Sequence, residues 1–254
     1  MILRRVIAHV RNQEWTAVFL DFVIVVVGVF IGIQVSNLNE RQGESSHERL
    51  LLGELRSELA QSSEQIAIIR NAYNQVSLSG ARSVAFLDDS TSCGDACWGV
   101  LVDFFHASQW QQPHVVRSAY DEMRRNGWPR NRYIVDAVED YHRQGTLNAN
   151  GFRDVPAYRA LVRGLIPLAA HSPYWATCYE IRNGEERYLD ACPEGVDPGV
   201  SAAAVAAIAA HPDIHATLTE WAGYTTGFEA TFNDQIASAE RAISLIDAEL
   251  GDTP

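Results

Sequence analysis

The fold class predicted for this chain is mainly α: an N-terminal transmembrane helix, then a periplasmic helical bundle built on two long helices, with a small disulfide-bounded β-hairpin. Three observations predict it. Thr16 to Val35 reads TAVFLDFVIVVVGVFIGIQV, about 20 residues at roughly 1.5 Å each, enough as a helix to cross the roughly 30 Å hydrocarbon core of a bilayer. Two long stretches of apolar residues at 3,4 spacing lie beyond it, one near each end of the remaining chain. Asn183-Gly184 separates two short runs that cysteines bracket, a strong hairpin signal.

The domain plan follows from these: residues 1–15 a cytoplasmic stub, 16–36 the membrane helix, and 37–254 the periplasmic domain. Arg4, Arg5 and Arg11 stand against one acid, Glu14, before the span, whereas Arg41 and Arg49 accompany Glu40, Glu44 and Glu48 after it. Basic residues favour the cytoplasmic side, so the N-terminus is expected on the cytoplasmic face of a bacterial inner membrane and the C-terminal domain in the periplasm. Trp15 suits the headgroup layer, and Gln34, Ser36, Asn37 and Asn39 mark the exit into water. A cleaved signal peptide would have a shorter apolar run ending in small residues. The exit Gln34-Val35-Ser36-Asn37-Leu38-Asn39 lacks such a site, which favours an uncleaved signal anchor.

Ser45 and Glu48 have capping-box spacing, and Leu52, Leu55, Leu59, Ser62, Ile66, Ile69, Tyr73 and Val76 continue a helical stripe. They predict a first long helix over about 46–87. A short helix is expected from Arg117 to Asn126, stopped by Gly127, and Asn131 can cap another running to Gln144 before Gly145. Asp154 to about Ala170 is read as a helix disturbed by Pro167, and Ser201 opens an alanine-rich turn before His211-Pro212. Ile214, Leu218, Trp221, Thr225, Phe228, Phe232, Ile236, Ala239, Ile243, Ile246 and Leu250 predict the second long helix, stopped by Gly251 and able to pack antiparallel to the first.

The chain has 254 residues, 47% of them hydrophobic, so the part beyond the span can bury one sizeable core. All 20 basic residues are arginine and the formal net charge is −12, which argues against nucleic acid and anionic headgroups as partners of the outer domain. The four cysteines, Cys93, Cys97, Cys178 and Cys192, all follow the span. An even number in an oxidising compartment suggests two disulfides, with the local pairs Cys93–Cys97 and Cys178–Cys192 favoured over the other connectivities. A strict two-residue turn at Asn183-Gly184 would set Cys178 opposite Leu189. Either the loop is nearer five residues, or the bridge joins the frayed ends of the hairpin.

Candidate chemistry is sparse. Within the span, Asp21, Gly28 and Gly32 share one face that Ala17 and Ser36 extend, a stripe suited to a second copy or to another membrane protein. The rival reading is that glycine is common in such helices and that Asp21 reaches toward the headgroups. His211 and His215 are spaced i, i+4 with Asp213 near, but Pro212 disturbs the geometry and no third metal ligand is signalled. Asp136, Glu139, Asp140 and His142 suggest acid/base chemistry, and charge pairing with Arg132 and Arg143 is the better reading. Trp98, Trp110, Trp128, Tyr133, Tyr141, Tyr174 and Trp175 either fill the core or line a ligand pocket, and core filling is favoured. None of the common nucleotide, zinc-protease or hydrolase motifs is present. No catalytic residue, cofactor or metal is therefore assigned.

Two stretches, DFVIVVVGVFIGIQVSNLNE and SAYDEMRRNGWPRNRYIVDAVEDYHR, resemble an uncharacterised family of bacterial proteins with a single N-terminal membrane helix and a helical outer domain. They cover under a fifth of the chain, and Leu38 stands where a tryptophan is expected. The resemblance implies location and architecture, and no activity. The expected function is a non-catalytic binding, sensing or assembly role at the lipid bilayer. The alternatives are a tethered periplasmic enzyme using His142 or His211, and a structural protein that oligomerises through Gly28 and Gly32.

Overall fold

The computed structural model describes residues 15–89, 92–182 and 185–251. The arginines of the expected stub, the Asn183-Gly184 turn and the Ala17 side chain lie outside the described residues. The chain divides into two compact units, Met1–Leu52 and Gly53–Pro254. One helix, α1 (Trp15–Asp89, 75 residues), contributes to both.

In the first unit, α1 holds an 18-residue window of mean hydropathy 2.6, none of it buried. Phe19, Phe22, Ile24, Val25, Phe30, Ile31 and Ile33 are all exposed around the helix. A helix apolar on every side suits hydrocarbon as its surroundings, and this one is long and apolar enough to cross a membrane. The start expected near residue 46 is overturned, because the backbone is already helical there. Between Ser36 and Arg49 the chain contains no proline and a single glycine, Gly43, and its glutamates, arginines and glutamine favour continuation over the weaker serine and asparagine positions. Ser45 is consequently not a cap, and the neighbouring Ser46 hydroxyl donates back to the Gln42 carbonyl (2.9 Å) in mid-helix.

The second unit is a helical assembly around an aromatic core. After α1 come a short 3₁₀ turn (Gly94–Ala96), α2 (Cys97–Ala107), α3 (Ser118–Arg125), α4 (Arg132–Gly151), α5 (Ala157–Leu165), α6 (Leu168–Thr177), strands β1 (Tyr179–Arg182) and β2 (Glu185–Tyr188), α7 (Pro198–Ala210), α8 (Ile214–Thr225) and α9 (Phe228–Gly251). The bracketing helices are antiparallel as expected. Arg56 of α1 pairs with Asp247 of α9 and Arg70 donates to Asn233 (2.7 Å), so moving forward on one helix moves back equally on the other. Against α4, α9 is likewise antiparallel, with Asn148 donating to Gln235 (2.7 Å) and Asn131 to Glu249 (2.7 Å). Buried side chains from α1 (Ile66, Tyr73, Val76), α2 (Leu101, Phe104, Phe105), α8 (Leu218, Trp221) and α9 (Phe228, Phe232) meet in one cluster.

Several element boundaries differ from expectation, each for a local reason. The second long helix is two, α8 and α9, broken at Thr226-Gly227. There the Thr225 and Thr226 hydroxyls donate to the carbonyls of Ala222 (2.9 Å) and Gly223 (2.7 Å), and β-branched residues beside glycine weaken the helix. Thr225 and Phe228 are both buried, so the apolar spacing continues across the break. Pro167 separates α5 from α6 completely: Ile166 is extended (ψ 123°), as a residue before proline prefers, and Pro167 takes the N-cap position. The alanine-rich helix α7 starts at Pro198, where the Asp197 carboxylate accepts from the Gly199 amide (2.8 Å).

Asn131 does cap α4, its side chain accepting from the Tyr133 amide (3.0 Å), and Gly127 (φ +77°) follows α3 as expected. Gly145, however, does not stop α4. A β-carbon there would lie 2.5 Å from a Val115 methyl and 2.8 Å from the Gln235 amide, so glycine serves close packing inside the helix.

Both expected disulfides are present, Cys93–Cys97 and Cys178–Cys192, with Cα separations of 4.8 and 5.1 Å. The first closes over the 3₁₀ turn, which Gly94 enters at φ +51°. In the hairpin, Arg182 pairs with Glu185 and Tyr179 with Tyr188, and the Leu189 amide donates to the Cys178 carbonyl (2.9 Å). The connection is therefore two residues long, Cys178 faces Leu189, and the bridge reaches past the paired strands to Cys192.

Candidate functional site

A groove of about 870 Å³ opens in the second unit between α1, the 112–118 segment and the start of α3. Glu54, Glu58 and Glu64 recur along α1 toward it, Glu122 faces it from α3, and His114, Ser62 and Ile69 complete much of its lining. No arginine lines it. Arg56, on α1 between Glu54 and Glu58, is held by Asp247. The groove thus presents four carboxylates with little compensating positive charge, and it suits a cationic or hydrogen-bond-donating ligand.

Glu58 is the organising side chain. One of its oxygens, Oε2, accepts from the Ser118 hydroxyl (2.5 Å) and the Ala119 amide (3.0 Å). It caps α3 from a different helix, where Arg117 at the N-cap position offers no side-chain acceptor. The other oxygen, Oε1, is buried with no hydrogen-bond partner among the described residues.

The acid/base candidates of α4 separate into structural roles. Asp136 pairs with Arg132 (3.3 Å) and the Glu139 carboxylate accepts from the Tyr120 hydroxyl (2.7 Å). Asp140 accepts from Arg143, Gln144 (2.9 Å), Ser238 (2.9 Å) and Arg241 (3.1 Å), and the bonds from Arg143 foremost, then Ser238 and Gln144, hold its carboxyl below the usual range. His142 is 1% exposed, beside Tyr120 and Tyr141, and neither ring nitrogen has a hydrogen-bond partner among the described residues.

Burial lowers the His142 pKa, with Arg117 acting in the same direction and Glu139 and Glu58 opposing. The folded state therefore binds fewer protons at this site than the unfolded chain, whose value lies near 6.5. Its contribution to stability is full above pH 6.5 and is lost as pH falls from there through the folded value. Denaturant unfolding at pH 7.5 and 5.5 is expected to show a smaller acid loss for His142→Leu than for the natural chain. Parallel losses would refute this assignment.

The remaining candidates disperse. His211 accepts from the Asp213 amide through Nδ1 (3.3 Å), while His215 Nε2 lies 2.7 Å from Asp88, so the two imidazoles serve different partners. Trp98, Trp128, Tyr141 and Tyr174 are buried, Trp110 is half-buried, and Trp175 and Tyr133 are exposed. None of the seven lines the groove. In the first unit Asp21, Gly28, Gly32 and Ser36 are all exposed, and nothing lies within 4 Å of where a β-carbon on either glycine would be. Among the described residues of that stripe, no contact names a partner.

One cluster has no counterpart in the sequence reading. Asp103 and His106 on α2 meet Asp190, just past β2, with one ligand atom from each lying within 4.8 Å of the others. Arg82 of α1 bridges the two carboxylates, 2.5 Å from Asp103 and 2.8 Å from Asp190. The spacing of Asp103 and His106 on one helix face was visible in the chain; Asp190, far along it and beyond the hairpin, was not. Comparison with protein-family models, curated proteins and solved structures finds no match to this chain.

Proposed function

We propose that this is a single-pass protein of a bacterial inner membrane, anchored through residues 16–36, whose periplasmic domain binds a positively charged partner without catalysing a reaction. The observation that carries the binding role is the groove lined by Glu54, Glu58, Glu64 and Glu122, with no arginine among the described residues that line it. Location is supported by the arginines before the span and by cysteines that pair only beyond it. A tethered enzyme at His142 is less well supported, since that imidazole is almost wholly buried and does not line the groove. Glu54, Glu58 and Glu64 lie on α1, which also carries the apolar span.

The test is cross-linking in intact cells followed by purification of the solubilised full chain, comparing the natural protein with Glu54→Gln/Glu64→Gln/Glu122→Gln. Glu58 is left in place because it caps α3. Each exposed charge contributes roughly 0.5 kcal/mol, so the triple change is expected to weaken capture of a basic partner about tenfold. Equal recovery by both proteins would overturn the groove as the binding face.

A further inference from the structure

We infer that Asp103, His106 and Asp190 form a binding site for a divalent first-row metal ion of the zinc class, which enters by displacing the Arg82 guanidinium. The argument begins with His106. Its side chain is fully buried, and its Nε2 lies 3.2 Å from the Cys178 carbonyl oxygen. A carbonyl only accepts, so Nε2 carries the proton and Nδ1 presents a bare lone pair. Orientation of an imidazole by a backbone carbonyl on its far nitrogen is the arrangement that metal-binding histidines use.

The lone pair of Nδ1 has no hydrogen-bond partner among the described residues and lies 3.8 Å from Asp190 Oδ1. Two acceptors that close, without a proton between them, call for a cation. Arg82 supplies one for the carboxylates but makes no hydrogen bond to Nδ1, and it sets one positive charge against two negative ones. A divalent ion would satisfy all three groups and balance both charges. In a tetrahedral zinc sphere with bonds of about 2.1 Å, ligand atoms stand about 3.4 Å apart, only slightly closer than Nδ1 and Oδ1 already are.

The chemistry also selects among metals. One imidazole with two carboxylates suits zinc and its first-row neighbours, whereas magnesium and calcium prefer all-oxygen shells. Access is from the solvent side. The Arg82 side chain is 42% exposed and that of Asp190 66% exposed, so both can move, while His106 and Asp103 form the fixed inner wall.

The experiment uses the full chain in detergent, stripped with chelator and then titrated with zinc chloride, with bound metal counted by mass spectrometry. Cobalt(II) serves as a second probe whose visible absorption reports nitrogen and oxygen coordination. One equivalent of zinc is expected. Asp190→Asn, at an exposed position that should leave the fold intact, is expected to weaken binding about 10–100-fold, and Arg82→Gln to tighten it by removing the competing cation. Absence of zinc from the natural chain, including the case in which only Arg82→Gln binds it, overturns the site. So does an affinity that Asp190→Asn leaves unchanged.

Discussion

Truncating Phe152 to alanine is expected to destabilise the second unit by about 3–5 kcal/mol, the range for removing a fully buried aromatic ring. Phe152 follows α4 directly and is 1% exposed. Its ring stands 4.2 Å from that of Phe228, 4.6 Å from Tyr73 and 5.7 Å from Phe232, the last nearly parallel at 13°. These neighbours come from α9 and α1, and Tyr73 and Phe228 in turn reach Trp221 of α8. One ring therefore joins the end of α4 to α1 and α9, and the cavity it leaves cannot collapse without moving more than one of them. Denaturant unfolding of the full chain, followed by tryptophan fluorescence, measures the loss. Phe152→Leu, which keeps most of the volume, is expected to lose less than half as much, and an alanine variant losing under about 1 kcal/mol would contradict this account.

The aromatic knot was partly legible beforehand, because Tyr73, Phe228, Phe232 and Trp221 fell on 3,4-spaced positions. Phe152 did not, since it lies beyond Gly145, which reads as a helix stop while serving as a close contact with Val115 and Gln235. Spacing reports which face of a helix is apolar but not where the helix ends. The stripe passes through Thr225 and Phe228 although the backbone breaks between them, and the helix passes through Ser45 although the local pattern resembles a start. Pairing rules carried further at the hairpin. The turn signal fixes the strand alignment, and Leu189 does stand opposite Cys178.

The candidate sites were the least visible feature, for a physical reason. Glu58 matters because it caps a helix some sixty residues away, and Asp190 because the hairpin returns the chain to α2. Both roles depend on contacts between distant segments, which no local pattern records. Acidic composition did foreshadow the character of the groove, since a chain with net charge −12 must place many carboxylates without partners.

Replacing Cys178 and Cys192 by serine together is expected to cost about 3 kcal/mol, against about 2 kcal/mol for the Cys93 and Cys97 pair. The difference follows from loop length. A bridge restricts the unfolded chain more when it closes more residues, and the sequence separations are 14 and 4. Denaturant midpoints of the two double variants, measured with and without reductant, test the order, and equal losses would refute it. The larger bridge has a further consequence because of what its residues hold. The Cys178 carbonyl accepts from the Leu189 amide and orients His106, while Asp190 lies two positions before Cys192. Opening the bridge frees the base of the hairpin, and with it both the backbone group that sets the His106 tautomer and the carboxylate that faces its open nitrogen. Loss of this disulfide should therefore weaken zinc binding as well as folding, whereas loss of Cys93–Cys97 should affect folding alone.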